Sequence, residues 1–111
     1  WGSKGGTAVD APKQTYAAVL ADQAAGAKIY DVRTVQEYAD GHFEDAINWP
    51  VEKIQAGELP DVPKDTKVYV YCRSGNRTSQ ATKALEKAGF TNVIDLGGLG
   101  HVQSMGGTLL Q

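Results

Sequence analysis

Cysteine is almost missing from this chain, with a single one, Cys72, among 111 residues. A lone cysteine excludes an internal disulfide and any metal site assembled from several cysteines. An excess of charge of one sign is lacking too: 11 Lys and Arg stand against 13 Asp and Glu, a formal net charge of −2. That balance gives no electrostatic footprint for nucleic acid or for an anionic membrane. No apolar run approaches the roughly 20 residues that a membrane-spanning helix needs. Internal repeats and low-complexity tracts are likewise missing, and 41% hydrophobic residues over this length fit one domain with a real core, not two. The chain begins at Trp1 and not at Met. A removed signal peptide, which would imply a periplasmic location, explains this, as does cutting from a larger protein.

What is present is punctuated by glycine and proline. Residues Trp1 to Lys13 carry Gly, Ser and Pro without apolar periodicity and read as a mobile lead-in to a domain at 14–111. Tyr16, Val19, Leu20, Gln23 and Ala27 fall near one helical face, with Thr15 as N-cap and Gly26 near the end. The β-rich run Lys28–Val32 leads into Thr34-Val35-Gln36-Glu37, the S/T-x-x-E capping box that starts a short helix stopped by Gly41. Ala46–Trp49 gives a further strand before Pro50, and Val51–Ala56 one or two helical turns before Gly57. The run Lys67–Tyr71 is apolar on both faces, as in the middle of a parallel sheet covered by helices. Val93–Leu96 is the last strand. Alternating strands and helices predict a doubly wound, mainly parallel α/β sheet flanked by helices. In such sheets ligands bind beyond the carboxyl ends of the strands, the rim where Asp31 and Cys72 would meet.

The stretch that bears chemistry is Tyr71-Cys72-Arg73-Ser74-Gly75-Asn76-Arg77-Thr78. Four β-formers run into the cysteine, a polar loop follows, and Thr78–Ala88 reads as a helix closed by Gly89. A loop between strand and helix sits at the positive end of the helix dipole and turns backbone N–H groups inward. With Arg73 and Arg77 added, such a cradle favours thiolate over thiol, a nucleophile that needs no histidine base. The bland alternative, a small buried hydrophobe, is the common fate of a lone cysteine but does not call for two arginines and a glycine after it.

This octapeptide resembles the active-site loop of the rhodanese family of sulfurtransferases. Two further segments agree with it: Tyr30-Asp31-Val32-Arg33 continuing through Glu37-Tyr38, Gly41-His42 and Ala46-Ile47-Asn48-Trp49-Pro50, and the closing Gly89-Phe90-Thr91-Asn92-Val93 through Gly97-Gly98-Leu99. Together they cover Ile29 to Leu99. The resemblance implies a rhodanese-like domain without cofactor or metal, in which Cys72 takes the outer sulfur of thiosulfate as a persulfide and passes it to a thiol or cyanide. Arg73, Ser74, Gly75, Asn76, Arg77 and Thr78 would surround the substrate, and Asp31 and Arg33 would support the site. The partners implied are a small-molecule sulfur donor and a thiol acceptor, small molecule or small thiol protein, served by a monomer.

For Asp31 the expectation is a support that accepts hydrogen bonds from the loop arginines, against a plain strand-end turn residue. Arg33 is left between contacting an anionic substrate and pairing with Glu37 four residues on. His42 reads as a hydrogen-bonding loop histidine and Trp49 as a core or rim side chain. The tail Gly97 to Gly107 departs from the family pattern, lacking the aromatic residue that many relatives carry after Gly-Gly; its glycines suit a loop passing close to the site. Two rivals remain. A cysteine-dependent phosphatase uses a similar loop that is one residue longer, whereas Arg73, Ser74, Gly75 and Asn76 alone separate Cys72 from Arg77. The other rival is a non-catalytic rhodanese-like binding module, a class in which the cysteine is often missing.

Overall fold

A computed structural model of the protein describes residues 14–111. The lead-in expected for Trp1–Lys13 lies outside the described residues. The order of elements is α1 (Tyr16–Ala24), β1 (Lys28–Asp31), α2 (Val35–Asp40), β2 (His42–Phe43), β3 (Ile47–Asn48), α3 (Val51–Gln55), β4 (Val68–Tyr71), α4 (Asn76–Lys87), β5 (Val93–Gly97), α5 (Leu99–Ser104) and β6 (Leu109–Leu110). Strands β3, β1, β4 and β5 form one sheet in that order, every pairing parallel. A parallel pair requires a crossover, and helices supply it on both faces.

The two-residue alternation of a strand sorts the core into halves. Ile29, Tyr69, Tyr71 and Leu96 face Tyr16, Val19, Phe43 and Val102, from α1, β2 and α5. Tyr30, Val68 and Val70 face Val51, Ile54, Ala81 and Leu85, from α3 and α4. Strand β4 is buried at all four positions, as expected for a central parallel strand. Cys72 continues the Val68–Val70 face and therefore joins the half of the core beneath α4.

The local signals hold. Thr15 caps α1 by accepting the Ala18 N–H at 3.2 Å. Thr34 and Glu37 close a complete capping box on α2, worth roughly 1 kcal/mol. Trp49 is a rim side chain, half-buried, edge-on to Tyr30 and donating its indole N–H to the Glu58 carbonyl.

Two segments differ from expectation. Helix α4 starts at Asn76, not Thr78, because Gly75 takes a left-handed φ of 96° that turns the chain into the helix two residues sooner. The tail is not a loop: Leu99–Ser104 is helix α5, and Leu109–Leu110 pairs antiparallel with His42–Phe43. Only Gly100 of its glycines falls inside α5, so the helix loses little, and β6 owes its form to a partner far away in sequence.

Candidate active site

The end of β4 is shaped by a bulge. Tyr71 is opposite Gly97 while Val70 is opposite Asp95, so Leu96 is the extra residue. Its effect is to bring the Gly97 carbonyl onto the Cys72 N–H at 3.0 Å, while the Asp95 carboxylate accepts the Gly97 N–H at 2.7 Å. The next two residues hold the loop from above. Leu99 N–H donates to the Arg73 carbonyl at 3.1 Å, and Gly98 lies so close that a Cβ there would stand 2.8 Å from that same carbonyl oxygen.

Within this brace the chain turns back on the cysteine. Gly75 N–H donates to Cys72 Sγ at 2.8 Å, and the Thr78 hydroxyl donates to the Gly75 carbonyl at 2.7 Å. A sulfur accepting a backbone N–H at the start of a twelve-residue helix is placed where negative charge is stabilised. Cys72 has no exposed surface. The two readings of the cysteine therefore meet: it is a member of the core, and its sulfur points into a polar cradle. Arg73, Ser74 and Asn76 are exposed, Gly75 and Arg77 half-buried, and Thr78 buried.

Asp31 and Arg33 are tied to each other. Arg33 Nη2 lies 2.5 Å from Asp31 Oδ2, its Nε donates to both carboxylate oxygens, and its Nη2 also reaches the Gly41 carbonyl at 2.6 Å. Both side chains are buried, and their charges satisfy one another in the bidentate geometry that burial demands. Asp31 thus takes Arg33, not the loop arginines, as partner, and alternation explains it. Asp31 stands opposite Tyr71 in the sheet, on the face away from Cys72. The Tyr71 hydroxyl accepts the Phe43 N–H at 3.1 Å, and burial, with Asp31 nearby, drives its ionisation far above the usual tyrosine range. The Arg33 guanidinium lies 5.7 Å from the centre of the Tyr71 ring.

Nor does Arg33 pair with Glu37. Glu37 receives Arg77 instead, Nη1 to Oε1 at 2.5 Å and Nη2 to Oε2 at 3.0 Å, a fork that joins α2 to the first turn of α4. The Arg77 hydrogen bond is the main reason that the Glu37 carboxyl is held down at about 2. This ion pair is the feature of the site that sequence reasoning missed. Among the described residues Arg73 makes no ion pair. His42 stacks on Tyr38 with ring centres 3.9 Å apart and meets the Tyr38 carbonyl through Nδ1, a structural role.

Beside the cysteine loop lies an open cleft of roughly 300 Å³, lined by Arg33, Glu37, Asp40, Gly41, Arg73, Leu99 and Leu109. Arg73 is the cation of this cleft that makes no ion pair among the described residues, and Glu37 and Asp40 are its carboxylates.

A family model described as Rhodanese-like domain matches residues 14–102. The thiosulfate sulfurtransferase PspE of Escherichia coli K12 is 37% identical over 70 residues, which cover 62% of this chain and 67% of that protein. The adenylyltransferase and sulfurtransferase uba4 of Ogataea parapolymorpha is 39% identical over 72 residues, 64% of this chain but only 18% of that longer protein. Among solved structures, the rhodanese-like domain of the Anabaena Alr3790 protein superposes with a TM-score of 0.69 at 35% identity, covering 77% of this chain and 99% of that one.

Proposed function

Because the chain belongs to the family of rhodanese-like domains, we propose that it is a thiosulfate sulfurtransferase working through a persulfide on Cys72. The Cys72 thiolate attacks the outer sulfur of thiosulfate, the S–S bond of the donor breaks, and sulfite leaves with its electron pair. The enzyme then carries Cys–S–S⁻. A thiol or cyanide attacks the terminal sulfur, which returns Cys72 to the thiolate and releases a persulfide or thiocyanate. No redox cofactor enters, since every electron pair lost by the donor side is taken up by the leaving sulfur.

One observation carries this reading: the Gly75 N–H directed at Cys72 Sγ at 2.8 Å, at the start of α4. The first N–H groups of a helix lack intrahelical partners, so the turn that follows Gly75 has donors for a terminal sulfur bearing a full charge. Arg73 is the cation through which the cleft attracts the donor. Helix α4 begins only four residues after the cysteine, so the ring is narrow. That favours one sulfur atom over a tetrahedral phosphate.

Incubation with thiosulfate is expected to add one sulfur atom to the intact mass, and cyanide to remove it. Cys72→Ser is expected to take no sulfur while keeping its far-ultraviolet circular dichroism, because a hydroxyl does not ionise near neutral pH. Sulfur transfer retained by the serine variant would refute the role of Cys72, and aryl phosphate hydrolysis without a sulfur adduct would move the assignment to a phosphatase.

A further inference from the structure

Glu37 stands where the charges of the site are divided. Its Oε1 accepts the Thr34 N–H and the Thr34 hydroxyl, both at 3.1 Å, so its own helix holds the carboxylate in place. The same carboxylate takes both Nη atoms of Arg77, and it forms part of the cleft wall together with Arg73. Arg77 lies two residues after Gly75, whose N–H donates to Cys72 Sγ, in the first turn of α4. Around the cleft, then, Arg33 is balanced by Asp31 and Arg77 by Glu37, while Asp40, bonded to the Gln36 amide, lines the same cleft as Arg73. The summed charge is close to zero.

We propose that Glu37 tunes donor specificity: by cancelling Arg77 it limits the advantage of the dianion thiosulfate, so that singly charged sulfur donors, such as an organic persulfide or thiosulfonate, are accepted beside it. This rests on the sulfurtransferase reading and deepens it. Glu37 acts through Arg77 and the field of the cleft and is a positioning residue, not a reacting one. With its carboxyl held at about 2, it keeps its charge throughout the neutral range. Its replacement by glutamine retains an acceptor for one Arg77 N–H and removes one negative charge beside the cleft.

The test compares two donors that leave the same persulfide on Cys72: thiosulfate, a dianion that releases sulfite, and methanethiosulfonate, a monoanion that releases methanesulfinate. Loading is followed by intact mass at subsaturating donor. In Glu37→Gln the thiosulfate-to-methanethiosulfonate ratio of loading rates is expected to rise about three- to tenfold, and about 0.5 M salt is expected to erase most of that gain. Thr34→Ala breaks the same capping box without changing charge, and its ratio is expected to stay at the wild-type value. An unchanged ratio in Glu37→Gln, or an equal rise in Thr34→Ala, overturns the inference while wild-type loading leaves the sulfurtransferase reading intact. Failure of both donors to load the wild-type protein overturns the two together.

Discussion

Gly98→Ala tests whether the closing segment holds the cysteine loop in its working shape. Gly98 has φ −92° and ψ 175°, extended backbone that alanine adopts without strain, so the whole effect of the substitution is steric. The new Cβ would meet the Arg73 carbonyl oxygen at 2.8 Å, Ser74 Cα at 3.0 Å and Ser74 C at 3.2 Å, all backbone atoms with no rotamer to escape into. To reach ordinary contact at 3.4 Å, the oxygen at 2.8 Å has to retreat by about 0.6 Å. Retreat is opposed by two hydrogen bonds that flank the contact, Leu99 N–H to the Arg73 carbonyl and Cys72 N–H to the Gly97 carbonyl. Overpacking of this kind costs about 1–2 kcal/mol, which for a domain of this size lowers Tm by roughly 4–15 °C. The catalytic effect is expected to be larger than the thermal one. Misplacement by 1 Å can cost a factor of about 100, so a shift of about 0.6 Å in the residues that lead to Gly75 is expected to slow persulfide formation ~10- to 100-fold. Single-turnover loading by thiosulfate, read by intact mass, gives the rate, and differential scanning calorimetry gives Tm. A variant that loses Tm but loads sulfur at the wild-type rate would refute the brace, since the strain would then have been absorbed without moving the loop.

Asp31→Asn leaves the buried Arg33 guanidinium without a counter-charge and is expected to cost about 3–5 kcal/mol in urea denaturation; Arg33→Met with Asp31→Asn together should recover part of the loss. Tyr71→Phe strips the buried Phe43 N–H of its acceptor and should cost about 1–3 kcal/mol by the same measurement. Because Arg77 depresses the Glu37 carboxyl from its ordinary 4.5 to about 2, that tie adds stability above pH 4.5 and loses it as pH falls from there through about 2. The wild-type minus Glu37→Gln difference in Tm is therefore expected to shrink across that window, and a constant difference would count against the pair.

What could be read from sequence was what neighbours along the chain decide. The N-caps and stops of α1 and α2 lie within a few residues of each other, and β4 betrays its central place by having no polar position. The tail escaped because its form is decided elsewhere. Gly98 and Met105 bound a six-residue helix too short to show a period, and Leu109–Leu110 becomes a strand only against His42–Phe43. The start of α4 was hidden in Gly75, whose left-handed turn can end a loop as readily as it can lie within one.

The partition of charge shows why the site was half legible. Arg33 and Glu37 are four apart, the spacing at which opposite charges meet on a helix. That rule requires both residues to be helical. Thr34 is the N-cap of α2, so Arg33 precedes the helix and its side chain turns back along the strand end to Asp31, two residues away. Glu37, released from Arg33 and fixed by Thr34, is then free to accept an arginine from another element, and the one presented to it is Arg77, forty residues on, in the first turn of α4. Had α4 begun at Thr78, Arg77 would have been a loop residue with no fixed direction. The two-residue shift in the start of that helix and the new partner of Glu37 are thus one event. Its result is a cysteine loop with two arginines of which only Arg73 makes no ion pair among the described residues, which leaves that cation to attract the anionic donor of the proposed transfer.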